Sequence, residues 1–297
     1  MRLAALAIGA GVPGGDFAGT VEEVHTRACL IACLDDKLVT LLAPELGHLP
    51  CGITLDAPRE LSLEGRFEVN AEIAVRGRIL RIAGSAFSID LRPSRTWNSD
   101  LGSLRLDLCR VSVLQAWQVA RAALREDGRG HGLLRTAGSA IAALDAATGA
   151  FDTAAAHAAM SRLIGLGQGA TPEGDDFLVG YFAALWACTC GMEPRTIFVS
   201  SLGASLTELS LRTHRVSRMY LDWAARGQVS ERLFVLAARI AAGSGRHAVG
   251  LAAAAAMAVG HSSGACGVLG FVHGCAAWSP RRERMRQLPT LRPPVLV

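Results

Sequence analysis

Lysine is nearly absent from this chain of 297 residues: Lys37 is the only one among 30 basic residues. Walker-type phosphate loops and most Schiff-base enzymes depend on a lysine, so the sequence disfavours both classes. Aromatic residues make up only 5% of the chain, but 51% is hydrophobic, which excludes disorder. The eight cysteines lack the Cys-x-x-Cys pairs of structural zinc sites. We therefore expect neither a metal nor a cofactor, and buried thiols in a reducing cytoplasm.

Net positive charge is absent outside the C-terminal end of the chain. The formal net charge is +4, and residues 280–297 alone carry five arginines against one glutamate. A nucleic-acid-binding protein needs a basic face on its folded body. We therefore expect no nucleic-acid partner, and we expect the basic, Pro-rich tail 280–297 to be loose.

One uncharged stretch is long enough to cross a membrane, because no Asp, Glu, Lys or Arg lies between Arg246 and Arg281. Gly260–Gly264 interrupts this stretch with polar residues and glycines near its centre. The sequence therefore predicts two short buried helices here and no membrane partner.

The pattern of apolar residues changes once along the chain. From Gly19 to about Leu106, short apolar runs alternate with turn residues, as in β-hairpins. After Arg110, apolar residues follow helical spacing and alanine dominates. We predict an α+β fold with an N-terminal antiparallel β-rich domain (1–108), either a sheet or a small barrel, and a compact Ala-rich α-helical domain (109–279).

Three segments of the helical half carry candidate chemistry, and the first is the glycine-rich Gly165–Phe177. Thr171 is a natural N-cap and Pro172 a natural first helical residue, so free N–H groups there would attract an anion. Alternatively, the glycines only form a turn. Asp175 and Asp176 favour a functional role, because adjacent carboxylates beside a long apolar helix need solvent, arginine, a metal or an N–H-rich ligand.

The second segment begins at Arg212. Arg212 and Arg215 share one helical face, and Thr213 and Ser217 share the neighbouring face. Guanidinium groups bind carboxylates and phosphates through two parallel hydrogen bonds, so this segment can complement an anion or the two aspartates. A solvated basic face is the alternative.

The third segment is Gly260–Gly267, a turn of small residues between apolar runs. His261 followed by two hydroxyls at a helix start can hold a carbonyl oxygen, donate a proton or bind an oxyanion. A capped turn with a hydrogen-bonded core histidine is the alternative.

Together the three segments resemble the AllH family, the smallest subunit of the oxamate carbamoyltransferase complex of allantoin breakdown. The family pattern is approximately G-x-G-P-G-L-T-P-S-x-D-D, then S-x-x-Y-L-x-x-A-A-x-G, then G-H-[ST]-S-G-A-D. Gly165–Asp176, Ser217–Gly227 and Gly260–Cys266 match it in this order. The similarity continues weakly through the strand-rich half, so it covers most of the chain.

The chain departs from the family pattern at four positions. Gln168 and Ala170 replace the usual Pro and Leu, Glu173 stands where Ser is common, and Cys266 replaces Asp. If the family's aspartate positions a substrate nitrogen or a metal, this chain lacks it. A divergent substrate therefore stays open.

The resemblance implies transfer of a carbamoyl group between the amide nitrogen of oxamate and phosphate, performed with larger partner subunits on a small anionic substrate. In this scheme the arginines bind the anionic groups, residues 167–171 the phosphate oxygens, one aspartate the amide N–H, and the histidine and its neighbouring serine the carbonyl oxygen. The predicted catalytic residues are His261, Ser262, Asp175 and Asp176, and the predicted substrate-binding residues are Gly167, Gly169, Thr171, Arg212, Arg215, Ser217 and Ser263.

Two other function classes remain open from the residues alone. A non-catalytic binding or assembly subunit would use the same loops to contact a partner. A metal-assisted hydrolase or lyase would use Asp175, Asp176 and His261 as ligands.

Overall fold

The computed structural model describes residues 2–34 and 37–279, and in these residues a β-rich half precedes a helical half. This confirms the predicted α+β class. The expected loose tail 280–297 lies outside the described residues. The strands are β1 (Arg2–Gly9), β2 (Phe17–Val24), β3 (Ala28–Cys33), β4 (Leu38–Leu42), β5 (Gly52–Leu55), β6 (Glu72–Arg76), β7 (Ile79–Ile82), β8 (Ser88–Asp90) and β9 (Arg95–Trp97). The helices are α1 (Val111–Asp127), α2 (His131–Ala150), α3 (Thr153–Ser161), α4 (Glu173–Ala187), α5 (Glu193–Ser210), α6 (Arg215–Ala224), α7 (Glu231–Ala241), α8 (Arg246–Met257) and α9 (Ser263–Ala277).

The strands form one sheet in the order β5-β4-β3-β2-β6-β7-β8-β1-β9, and an antiparallel β1–β5 pairing closes it into a barrel. The predicted antiparallel hairpins are present between β2 and β3, β3 and β4, β6 and β7, and β7 and β8. Strand β1 also pairs in parallel with β8 and β9, and β4 with β5. These parallel pairs were not predicted, because closing a barrel joins strands that are distant in sequence.

Strands β4 and β5 are buried along their whole length, and each is apolar except for one threonine. Helix α6 covers one face of this part of the sheet: Met219 packs with Leu38 and Cys51 in a small separate core. Arg215 at the start of α6 also donates to a Glu22 oxygen of β2, at 2.9 Å. The barrel and the helices therefore meet along α6.

Helices α4 and α9 cross at the centre of the helical half, and glycine allows their close approach. A Cβ atom placed on Gly180 would lie 1.7 Å from the carbonyl oxygen of Gly267. A Cβ atom placed on Gly270 would lie 1.8 Å from the carbonyl oxygen of Phe177. Since no side chain fits at these distances, the pair requires glycine at both crossings.

A segment without strands or α-helices connects the two halves. The last strand ends at Trp97, and the first helix begins at Val111. Leu101, Leu106 and Leu108, which precede the proposed boundary, pack into the helical core. The division into 1–108 and 109–279 stays a proposal.

The long uncharged stretch folds as the two short helices that the sequence predicts. Helix α8 ends at Met257 and α9 begins at Ser263, and the two are packed into the helical core. Across residues 2–34 and 37–279, we find no helix with the length and apolar character that crossing a membrane requires.

Candidate functional site

Asp175 is a completely buried carboxylate that joins two of the three motif segments. It accepts hydrogen bonds from the Gly165 backbone N–H at 2.7 Å, from Ser217 Oγ at 2.7 Å and from Thr213 Oγ1. Helix α6 begins at Arg215, so Arg212 and Thr213 precede it and the predicted helical faces that they share with Arg215 and Ser217 are wrong, although both hydroxyls donate to one carboxylate. Asp175 therefore fastens the glycine-rich loop to the start of α6. Among the described residues, its hydrogen bonds thus indicate a structural role.

We predict that Asp175→Asn destabilises the protein by about 2–4 kcal/mol, because an amide group cannot accept all three of these bonds and leaves buried donors unpaired. Asp152→Asn is the matched control. Asp152 caps α3 by accepting from the Ala155 N–H, and Asn caps helices equally well. Urea unfolding of both variants measures the difference, and equal stabilities would contradict the fastening role.

The start of α4 differs from the sequence prediction. The helix begins at Glu173, so Pro172 occupies the N-cap position and Thr171 precedes it. Thr171 Oγ1 instead contacts Ser263 Oγ at 3.0 Å, which joins the glycine-rich loop to α9. The predicted N-cap role of Thr171 is therefore wrong by one residue, because the fixed φ of proline suits either position.

One of the backbone N–H groups that the sequence offered to an anion is already hydrogen-bonded within the glycine-rich loop. The N–H of Gly174 in the first turn of α4 donates to the Leu166 carbonyl at 2.8 Å. Gly167 has a φ of 123°, and a Cβ there would lie 2.6 Å from the Glu173 nitrogen, so glycine is needed for the turn itself. Gly169 is exposed with a φ of 83°. Anion binding by this loop remains a prediction.

Asp176 differs from its neighbour, because one of its oxygens has no hydrogen-bond partner. Asp176 Oδ2 is buried and unpaired among the described residues. Burial raises the pKa of Asp176 to about 8, and the negative charges of Asp175 and Glu173 add to this effect, while a hydrogen bond with Ser263 opposes it. Near neutral pH the protonated form of this carboxyl group therefore predominates, and a smaller carboxylate fraction can accept a proton.

Asp176 lines a cavity of about 300 Å³ between α4, α6, α9 and the barrel. Thr171, Ser263 and Tyr220 add hydroxyl groups to the lining, and burial raises the pKa of Tyr220, so its hydroxyl stays protonated. Most of the remaining wall is apolar, and the described lining residues include no arginine or lysine. The cavity thus suits a small ligand that offers N–H groups to the aspartate.

The two predicted arginines do not line this cavity. Arg212 is exposed, while Arg215 is half-buried at the barrel contact with Glu22. Ser217, predicted to bind substrate, is buried beneath Asp175. Their substrate-binding roles stay predictions.

The third motif segment is only partly in the cavity. His261 is exposed, and its carbonyl oxygen accepts from Arg129 at 3.2 Å. Ser262 occupies the N-cap position of α9 without a capping bond from its side chain, and neither residue lines the cavity. The structure thus brings together Asp176, Thr171 and Ser263, and it places His261 and Ser262 outside their shared cavity.

Sequence analysis missed the apolar wall that α6 contributes. Val216, Tyr220 and Trp223 all line the cavity. Their spacing of four and three residues marks one helical face, so the signal was present.

The arrangement gives the metal-ligand alternative no support. The part of the chain that the structure describes contains no group of three or more His, Cys, Asp or Glu residues placed to hold a metal ion. Asp175 already accepts three bonds from protein groups. Cys266, which replaces the family's aspartate, is fully buried, and burial raises the pKa of its thiol to about 12.

The raised pKa of Asp176 predicts a specific dependence of stability on pH. Between pH 4 and 8 the folded state holds a proton that the unfolded state releases, so the unfolding free energy falls as pH rises, by at most about 1.4 kcal/mol per pH unit. Asparagine does not titrate, so Asp176→Asn removes this decrease in the unfolding free energy. Its stability relative to wild type should grow from pH 4 to 8 and then level off, as measured by urea unfolding; a difference that does not vary with pH would contradict the assignment.

Comparison with known families covers both halves of the molecule. The family model of the oxamate carbamoyltransferase subunit AllH matches residues 163–275, which contain all three motif segments. The model of the AllH family N-terminal domain matches residues 5–96, which contain nearly all of the barrel. Searches of curated proteins and of solved structures gave no match. The two matches follow each other in order over most of the chain, and the protein therefore belongs to the AllH family.

Proposed function

We propose that this protein is a subunit of an oxamate carbamoyltransferase complex and that it contributes the cavity at Asp176 to the reaction site. The observation that carries this proposal is the buried, unpaired Oδ2 of Asp176 at the wall of a 300 Å³ cavity. An unpaired buried oxygen costs stability, and such groups are kept where a ligand satisfies them. An amide N–H is the simplest group that would do so.

In this proposal, Asp176 accepts a hydrogen bond from the amide nitrogen of oxamate. When that nitrogen attacks the carbonyl carbon of carbamoyl phosphate, an N–C bond forms and the C–O bond to phosphate breaks. The amide proton passes to the Asp176 carboxylate, and phosphate leaves with the bonding electrons. A pKa of about 8 suits this step, because a general base works best when its pKa lies near the working pH.

The carbonyl oxygen gains negative charge during this attack, and hydroxyl donors would stabilise it. Tyr220 lines the cavity and can supply such a donor, and Thr171 and Ser263 can do so by exchanging the hydrogen bonds that they make with each other and with Asp176. They take the role that the sequence assigned to His261 and Ser262.

A site shared with partner subunits agrees with the charges around the cavity. Carbamoyl phosphate and oxamate are anions, yet the described lining residues include no cation. Cationic groups must therefore come from outside this cavity, and larger partner subunits are their expected source. We further propose a role in allantoin breakdown, which membership of the AllH family suggests, and a location in the cytoplasm, since no disulfide joins the eight cysteines, all of which are described.

Reconstitution tests the proposal. The chain is purified alone and together with the two larger subunits, and carbamoyl transfer from carbamoyl phosphate to oxamate is followed by oxalurate formation. We expect transfer by the complete complex and none when this chain is omitted. Full transfer by the larger subunits alone would overturn the proposal.

A further inference from the structure

The lining of the Asp176 cavity divides into a polar end and an apolar wall. Thr171, Ser263 and Asp176 form the polar end: Thr171 Oγ1 lies 3.0 Å from Ser263 Oγ, and Ser263 hydrogen-bonds with Asp176. The proposed transfer mechanism uses this end together with Tyr220. It assigns no role to the apolar wall, which makes up most of the lining.

Several helices and the barrel contribute to the apolar wall. Val179 stands three residues after Asp176, so both lie on one face of α4. Val216 and Trp223 come from α6, and Leu49 comes from the segment before β5. These four hydrophobic side chains are only partly buried. A ligand with an apolar part would therefore cover apolar surface that the protein leaves open.

Protein contacts hold the apolar wall in place. The backbone of Gly11 packs directly on the indole ring of Trp223, since a Cβ atom there would lie 2.0 Å from the ring. Val229, another wall residue, makes two hydrogen bonds with the Ser99 hydroxyl: its N–H donates at 2.8 Å, and its carbonyl oxygen accepts at 2.9 Å. Because such a cavity is already formed, little freedom is lost when a small ligand enters it.

The polar end offers a hydrogen-bond acceptor as well as a donor. Asp176 Oδ2 is a buried acceptor without a partner among the described residues. Burial raises the pKa of Tyr220, so its hydroxyl stays protonated and can donate. A primary amide has N–H donors and a carbonyl acceptor in one group, whereas an ammonium group has only donors and a carboxylate only acceptors. The negative charges of Asp175 and Glu173, which help to raise the pKa of Asp176, also repel a carboxylate.

We propose that this cavity binds uncharged primary amides that carry a small apolar group. The amide lies at the polar end, where its N–H meets Asp176 Oδ2, and the apolar group lies against Val179, Val216 and Trp223. The inference rests on the proposed function in one respect, the contact between Asp176 and an amide. It adds that the rest of the ligand is apolar, so the chain binds a wider class of amides than oxamate.

The size of the cavity limits this class of ligand. One water molecule takes up about 30 Å³ of liquid, so a cavity of about 300 Å³ has room for about ten non-hydrogen atoms. Each methylene group that the ligand buries should tighten binding about fourfold. Oxamate carries a carboxylate in place of the apolar group, and that charge would lie against the apolar wall. The chain alone should therefore bind an apolar amide more tightly than oxamate.

Calorimetry on the full isolated chain tests this inference with isovaleramide as the probe. We expect saturable binding at one site, and binding at least tenfold weaker for acetamide, for isovalerate and for oxamate. Asp176→Leu should weaken isovaleramide binding at least tenfold. Asp56→Leu is the matched control and should bind as wild type does, because Asp56 is exposed and does not line the cavity. Thermal unfolding of each variant verifies that it is folded.

Three outcomes would overturn the inference. They are the lack of saturable isovaleramide binding, isovaleramide binding that Asp176→Leu retains, and binding of isovalerate, isopentylamine or oxamate as tight as that of isovaleramide. The ligand series decides the matter even if the Asp176→Leu chain does not fold. Amide binding by the isolated chain needs neither partner subunits nor transfer activity, so failure of this inference is distinguishable from failure of the proposed function.

Discussion

Asp176→Asn is expected to lower the rate of carbamoyl transfer by the assembled complex by about 100-fold or more. The asparagine keeps the size of the side chain but cannot take the amide proton. Because the substitution also removes a buried group with a raised pKa, the variant should be at least as stable as wild type. Loss of activity would then not reflect loss of folding.

Two control variants make this result specific. Asp152→Asn likewise replaces a carboxylate by an amide, at the N-cap of α3, and should leave the transfer rate unchanged. Size-exclusion chromatography should show that the Asp176→Asn chain still joins its partner subunits. If that assembled variant transferred carbamoyl groups at the wild-type rate, this chain would be a binding or assembly subunit with the reacting atoms elsewhere.

Of the proposed substitutions, Gly270→Ala should cause the largest loss of folding stability, about 3 kcal/mol or more. Its new Cβ would lie 1.8 Å from the Phe177 carbonyl oxygen, which is backbone and cannot rotate away. Helices α4 and α9 would have to separate, and Asp176 on α4 would then move away from Ser263 on α9. Transfer activity should therefore fall together with stability.

Gly138→Ala and Gly250→Ala are the matched controls for this substitution. Both glycines lie inside helices, and an added Cβ at either position would meet nothing within 4 Å. Alanine is the better helix former, so each control should be more stable by about 0.5–1 kcal/mol. Urea unfolding compares all three variants, and a Gly270→Ala protein as stable as these controls would contradict the close crossing.

Much of the fold was predictable, because local patterns determine it. Turn-separated apolar runs indicated the hairpins, and the polar break at Gly260–Gly264 indicated that the uncharged stretch forms two helices rather than one. The parallel pairing of β1 with β8 joins residues more than 80 positions apart. No local pattern marks such a pair, so it appears only once the barrel closes.

The candidate site was predictable in its segments but not in the roles of its residues. Asp175 and Asp176 are adjacent, yet one is buried against hydroxyls and the other borders a cavity. On a helix, consecutive side chains point about 100° apart, so only the packing of α4 decides which faces the cavity. Packing likewise places His261 at the surface and Ser263 in the cavity.

The departures from the family pattern lie outside the lining of the cavity. Gln168 and Ala170 are exposed in the glycine-rich loop, and Cys266 is buried in the helical core. None of these residues, nor Glu173, lines the cavity. Glu173 nevertheless acts on the cavity from a distance, because its negative charge raises the pKa of Asp176.

A structure of the assembled complex with bound oxamate tests the central claim most directly. The account predicts the amide nitrogen of oxamate within about 3 Å of Asp176 Oδ2, inside the cavity between α4, α6 and α9. Oxamate bound at another place in the complex, with Asp176 still unpaired, would contradict it.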